Sequence, residues 1–124
     1  ELEHMHIQKT GALIRAGALL GAYSADKPKD DKIKAVDHFA KSIGLAFQVV
    51  DDILDAEANT QTLGKTAGKD QLHNKSTYVT ILGLSAAKQL ASELHANAMA
   101  AVSFYGREAD LLRHLANFIT HRSF

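Results

Sequence analysis

The run Phe47-Gln48-Val49-Val50-Asp51-Asp52-Ile53-Leu54-Asp55 concentrates three carboxylates in a short stretch. Asp51 and Asp55 are four positions apart, so on a helix they share a face, with Asp52 beside them. Carboxylates this close repel one another unless a cation pairs with them. Magnesium takes one or two protein carboxylates and keeps its other positions for water and phosphate oxygens. An acidic row of this kind can therefore hold a metal-bridged phosphate. Phosphate oxygens that the metal leaves uncovered need further positive charge, and lysine supplies it as a compact point charge. The candidates are Lys9 in Gln8-Lys9-Thr10-Gly11, Lys65 in Leu63-Gly64-Lys65, and Lys75 in Asn74-Lys75-Ser76-Thr77-Tyr78.

The elements that must position these groups read as helices. Val36, Ala40, Ile43, Phe47, Val50 and Leu54 recur at helical spacing and form one apolar stripe. Gly44, Gln48, Asp51 and Asp55 form a second row, each one residue further on and so rotated by about 100°. Polar groups at the edge of a buried face are what a site inside a helical bundle requires. The pattern predicts this helix over about Asp31 to Glu57, capped by Asp30 or Asp31. An earlier helix is predicted from about Leu2 to Ala25, packing through Leu13, Ala16, Leu20 and Tyr23, with a turn at Pro28. Asn59 to Asn74 reads as a long, glycine-containing connector. Beyond it a short helix is predicted over Ser76 to Leu82, broken by Gly83. A long one follows from a Ser85 cap to about Tyr105, and a last one from about Glu108 to His121, packing Leu111, Leu112, Leu115, Phe118 and Ile119.

Composition agrees with an all-α chain. There are 124 residues, 46% of them hydrophobic, with a single proline and much alanine. Equal numbers of acidic and basic residues give no bulk charge to draw in nucleic acid or an anionic membrane. With no cysteine, disulfides and thiolate metal sites are excluded, which fits a cytoplasmic protein. No apolar run approaches the length needed to span a bilayer. The chain opens at Glu1 without a capping signal, which suggests a start within a helix of a longer protein. His4 and His6 are two apart and do not face each other on a helix, so they read as surface residues.

The series Lys-Thr-Gly at Lys9, Phe-Gln-x-x-Asp-Asp-x-x-Asp at Phe47, Leu-Gly-Lys at Leu63 and Lys-x-Thr-Tyr at Lys75 resembles the trans-prenyl diphosphate synthase family. Lys-Ser-Thr-Tyr is most similar to the farnesyl and geranyl diphosphate synthases. The motifs are concentrated between Lys9 and Tyr78, and the later helices match in general character. The resemblance implies that residues 1–124 are the carboxyl-terminal part of a prenyl diphosphate synthase domain. About five helices of an isoprenoid-synthase bundle would be present, without the N-terminal ones. It implies condensation of isopentenyl diphosphate with an allylic diphosphate to give farnesyl or geranyl diphosphate. Asp51, Asp52 and Asp55 would hold Mg2+. Lys9, Lys65 and Lys75 would grip the diphosphate. Thr10, Gln48 and the Lys9 carbonyl would face the allylic cation.

The sequence departs from the family pattern in places. Gln8 stands where the family often has histidine, and Val79 where proline commonly follows Lys-x-Thr-Tyr. The family's first aspartate-rich motif is not found in these residues, so the chain alone is expected to be inactive. Apolar stripes meant for missing neighbours would favour a homo-oligomer or a domain-swapped assembly. Acidic clusters on helices are usually solvated surface, and lone lysines usually are too. Here four motifs in one order point to one site. The alternatives are a partner-dependent subunit and a helical interaction module without catalysis.

Overall fold

The computed structural model describes residues 11–25, 27, 29–63 and 76–123. They form five α-helices: α1 (Ala12–Tyr23), α2 (Asp30–Leu63), α3 (Tyr78–Leu82), α4 (Leu84–Ala101) and α5 (Asp110–His121). A 3-10 turn at Arg107–Ala109 leads into α5, and no strand occurs among the described residues. The all-α expectation holds.

Helix α2 is the axis on which the others pack. Phe39, Ala40, Ile43, Ala46, Val49, Val50 and Ile53 are all buried, and so is Ser42. The buried set covers more than the single stripe seen in the sequence, because α1, α4 and α5 approach α2 from different sides. Two apolar clusters share it. Ala46, Val49, Val50 and Ile53 pack with Tyr78 of α3 and with Ala87, Ala91 and Leu94 of α4. Phe39 and Ile43 pack with Ala98 and Val102, and with Ala109, Ala116 and Ile119 at the α5 end. Burial of several such side chains, each contributing roughly 1.5–3 kcal/mol, makes α2 the main source of cohesion.

Several boundaries differ from the sequence reading. Asp30 and Asp31 lie inside the first turn of α2, where their charge favours the helix dipole, instead of ahead of it as a cap. Helix α2 continues past Glu57 to Leu63, taking in residues read as connector. Its Thr60 hydroxyl bonds back to the Ala56 carbonyl at 2.9 Å, so the polar stretch stays compatible with helix. Helix α4 begins one residue before Ser85, and its N-cap is Gly83 at φ +89°, a left-handed conformation that glycine adopts without a Cβ clash. Gly83 ends α3 through its N–H to the Val79 carbonyl at 2.8 Å and accepts the Ala87 N–H at 3.0 Å to open α4.

Helix α4 stops at Ala101, short of Tyr105, and Arg113 explains the tight turn that follows. Its guanidinium donates to the carbonyls of Val102 and Gly106 at 2.8 and 2.9 Å and to that of Tyr105. It also pairs with Asp110 at 2.8 Å. Ala116 and Ile119 make the buried face of α5, Ala109 of the 3-10 turn is buried beside them, and Leu112 is half-buried. Leu111, Leu115 and Phe118, read as core, face outward with 78, 44 and 58% of their surface exposed. On α1, Leu20 and Tyr23 are likewise exposed.

Helix α1 meets α2 where two glycines remove the side chains between them. A Cβ built on Gly44 would lie 3.1 Å from the Gly11 Cα. Arg15 pairs with Asp37 on the same seam, and this hydrogen-bonded guanidinium holds the Asp37 carboxyl below its ordinary value.

Three predictions follow for α1 and its seam with α2. Gly44→Val should lower stability by about 1–3 kcal/mol through overpacking. Gly17→Ala, where the added Cβ meets nothing within 4 Å, should raise it by up to about 1 kcal/mol. Urea midpoints check both. The Asp37 contribution is small because the pair is partly exposed. Its depressed pKa means the stabilisation is present above the unfolded value of about 3.9 and disappears as the pH falls through the lower folded value. The midpoint gap between the native protein and Asp37→Asn should therefore be open near neutrality and close in acid.

Candidate metal and diphosphate site

The row predicted on α2 leaves the core by degrees. Gly44 is buried, Gln48 is half-buried, Asp51 is partly exposed and Asp55 is exposed. Asp51 and Asp55 thus reach solvent while standing on the most deeply packed helix among the described residues.

Each carboxylate has a different environment. Asp52 Oδ2 accepts the Tyr78 backbone N–H at 2.9 Å. Tyr78 is the first residue of α3, so its N–H has no partner within that helix and the carboxylate supplies one. Thr77 completes the cap. Its hydroxyl accepts the Thr80 N–H at 3.1 Å, while its own N–H donates to the Thr80 hydroxyl at 2.8 Å. The end of the Lys75–Tyr78 motif is therefore tied directly to the middle acid of the Asp51–Asp55 motif. Asp52, Asp55 and Asn59 of α2 line a small hollow of about 40 Å³ together with Thr77, Val79 and Thr80.

Asp51 has a partner that the sequence reading missed. Arg122 lies just beyond α5, with its side chain almost wholly buried, and its Nη2 is 3.2 Å from Asp51 Oδ1. The same nitrogen donates to the Phe47 carbonyl at 3.0 Å, and Nε donates to the Ile119 carbonyl at 3.2 Å. The guanidinium also stacks over the Phe47 ring, 4.4 Å from its centre. Arg122 therefore fastens the end of α5 to the start of the acidic motif. No local pattern marks it, since its partners on α2 are 71 and 75 positions away.

Lys9, Thr10, Lys65 and Lys75 lie outside the described residues. Their neighbours are placed. Gly11, directly after Thr10, touches Gly44, one turn before Gln48. Leu63, two residues before Lys65, ends the helix that bears the acids.

The oxygen-only donor set suits magnesium. Asp51 and Asp55 reach solvent one turn apart, matching a cation that uses one or two carboxylates and completes its shell with water and phosphate. Among the described residues no three His, Cys, Asp or Glu side chains are grouped so as to hold a metal ion together. Asp52 already gives one oxygen to Tyr78.

A polyprenyl synthetase sequence profile matches residues 1–107. This chain belongs to the polyprenyl synthetase family. It is 44% identical to the farnesyl diphosphate synthase of Escherichia coli, over 98% of this chain and 42% of that protein. It is 43% identical to the heterodimeric geranylgeranyl pyrophosphate synthase large subunit 1 of Arabidopsis thaliana, over 98% of this chain and 33% of that one. A crystal structure from Marinomonas sp. MED121, assigned as a farnesyl-diphosphate synthase, superposes with a TM-score of 0.80 at 42% identity. The match covers 96% of this chain and 39% of that one. This polyprenyl synthetase chain thus spans a third to two-fifths of the length of these relatives.

Arg122→Ala should destabilise the protein by about 1–3 kcal/mol, the cost of unpairing hydrogen-bonded groups at a half-buried site. Arg122→Lys should recover only part of that, because an ammonium lacks the planar fork that serves several acceptors together. Chemical denaturation of the two variants checks this.

Proposed function

We propose that this chain forms the metal- and diphosphate-binding wall of a prenyltransferase that makes farnesyl or geranyl diphosphate. The substrates are isopentenyl diphosphate and an allylic diphosphate, and the setting is cytoplasmic. The observation that carries the reading is the graded exit of Gly44, Gln48, Asp51 and Asp55 from the core of α2.

Asp51 and Asp55, with Asp52 beside them, hold Mg2+ in this reading. Bound there, Mg2+ neutralises charge as it develops on the departing diphosphate. Lys9, Lys65 and Lys75 cover oxygens of the same diphosphate. The contact of Gly11 with Gly44 and the tie from Tyr78 to Asp52 support bringing Lys9 and Lys75 towards the acidic row. The allylic C–O bond breaks with its electron pair leaving on the diphosphate. Thr10, Gln48 and the Lys9 carbonyl turn partial negative charge to the allylic cation. The double bond of isopentenyl diphosphate attacks, a C–C bond forms and a proton departs. Gln48 suits its role because it stands one turn before Asp51 and is half-buried.

Titration calorimetry with Mg2+ and inorganic diphosphate tests the site. Heat of binding is expected for the native chain and not for Asp51→Ala. In the full gene product Asp51→Asn should lower kcat by about 10²–10³-fold, as expected when one group stabilising transition-state charge is lost. The 124 residues alone should show no turnover, because they hold a single aspartate-rich motif. Absence of magnesium-dependent binding by the full gene product would favour the interaction-module reading.

The outward Leu111, Leu115 and Phe118, together with Phe104 at 93% exposure, support self-association through the α5 side. Sedimentation should show a concentration-dependent assembly, reduced by Leu111→Glu. A monomer at high concentration would contradict it.

A further inference from the structure

A second polar constellation lies on the other side of Arg122 from Asp51 and shares that arginine with the acidic row. A cleft of about 420 Å³ opens between α2, α4 and the end of α5. Its floor includes Val50, Leu54 and Ala91, and both His95 and His121 line it. His95 is on α4 and His121 is the last residue of α5. Their rings lie 5.3 Å apart, centre to centre, tilted by 48° and so not stacked face to face.

That separation has a chemical meaning. Two imidazole nitrogens bound to one tetrahedral metal at about 2.0–2.1 Å hold their ring centres roughly 5 Å apart. One of the two rings is also held by a polar neighbour. His95 Nε2 lies 2.7 Å from Asn117 Oδ1, and a carboxamide oxygen only accepts. In the neutral ring this contact selects the tautomer with the proton on Nε2, which leaves the Nδ1 lone pair for a metal. A metal-bound histidine typically donates its other N–H to such an oxygen, which fixes tautomer and direction.

We propose that His95 and His121 form a two-histidine site for a borderline transition-metal ion such as Zn2+, with Asn117 as the positioning residue for His95. Among the described residues no third His, Cys, Asp or Glu joins them in a cluster. Water or a small anion in the cleft completes the coordination. Nitrogen donors select Zn2+, Ni2+ or Cu2+ over Mg2+, so the site is chemically distinct from the carboxylate row on α2. Binding links α4 to the end of α5, next to Arg122 and its grip on Asp51.

The test uses the native chain with histidine ring nitrogens labelled and followed by NMR, because seven histidines are present and bulk binding would not tell them apart. One equivalent of Zn2+ should move the ring signals of His95 and His121 together, with His95 responding at Nδ1. Millimolar Mg2+ should move neither. In His121→Gln the Zn2+ effect on His95 should vanish, and in His95→Gln that on His121 should vanish. Asn117→Ala should weaken the response about tenfold. His38→Gln should leave it intact. Circular dichroism verifies that each variant is folded, as expected for changes at surface-accessible positions. The proposal is overturned if Zn2+ leaves both rings unmoved, or if either ring responds equally well without its partner.

Discussion

The structure depends on the enclosure of α2. A helix packed on several sides between Phe39 and Ile53 is held firmly enough to carry charged groups that would otherwise splay apart. Its polar row emerges from that packing one turn at a time. Gly44 allows α1 to approach backbone to backbone, and Gln48 keeps a polar head at the boundary. Asp51 and Asp55 then reach water. Rigidity at one end and solvation at the other let a carboxylate pair face water from a fixed backbone. A site that must hold a metal and a polyanion in one geometry needs both.

Two long-range ties secure the acidic motif to distant parts of the chain. Asp52 anchors the first N–H of α3, so that helix starts beside the acids. Arg122 fastens the end of α5 to Phe47 and Asp51. Arg122 also offsets part of the charge on the row, at a point where burial makes the pairing stronger than at an open surface. Arg113 does comparable work at the α4–α5 turn through three backbone carbonyls and Asp110, and so shapes the bundle without touching the acids of α2.

Much of this was legible in the sequence, and the exceptions have physical causes. The helical class, the α2 stripe and the acidic row followed from spacing, which is a local property. The buried face of α5 followed in part. Ile119 is buried and Leu112 packs against the core as the spacing predicts, whereas Ala116 and the preceding Ala109 take the most enclosed places and Leu111, Leu115 and Phe118 turn outward. The extension of α2 to Leu63 was hidden because threonine and asparagine are weak helix formers whose preference tertiary context overrides. Ser85 looked like a cap by residue type, but the conformation at Gly83 had already set the start of α4. Arg122, His95, Asn117 and His121 belong to no motif. Their significance comes from contacts across the bundle, which a single sequence does not display.

The central claim is that the acids of α2 and the lysines flanking them in sequence surround one metal-bridged diphosphate. Paramagnetic relaxation by Mn2+, added with inorganic diphosphate in place of Mg2+, tests it most directly. The account predicts selective broadening of Gln48, Asp51 and Asp55 together with Lys9, Lys65 and Lys75. Broadening centred on other acids, such as Asp30 and Asp31, with the lysine signals unchanged, would contradict it.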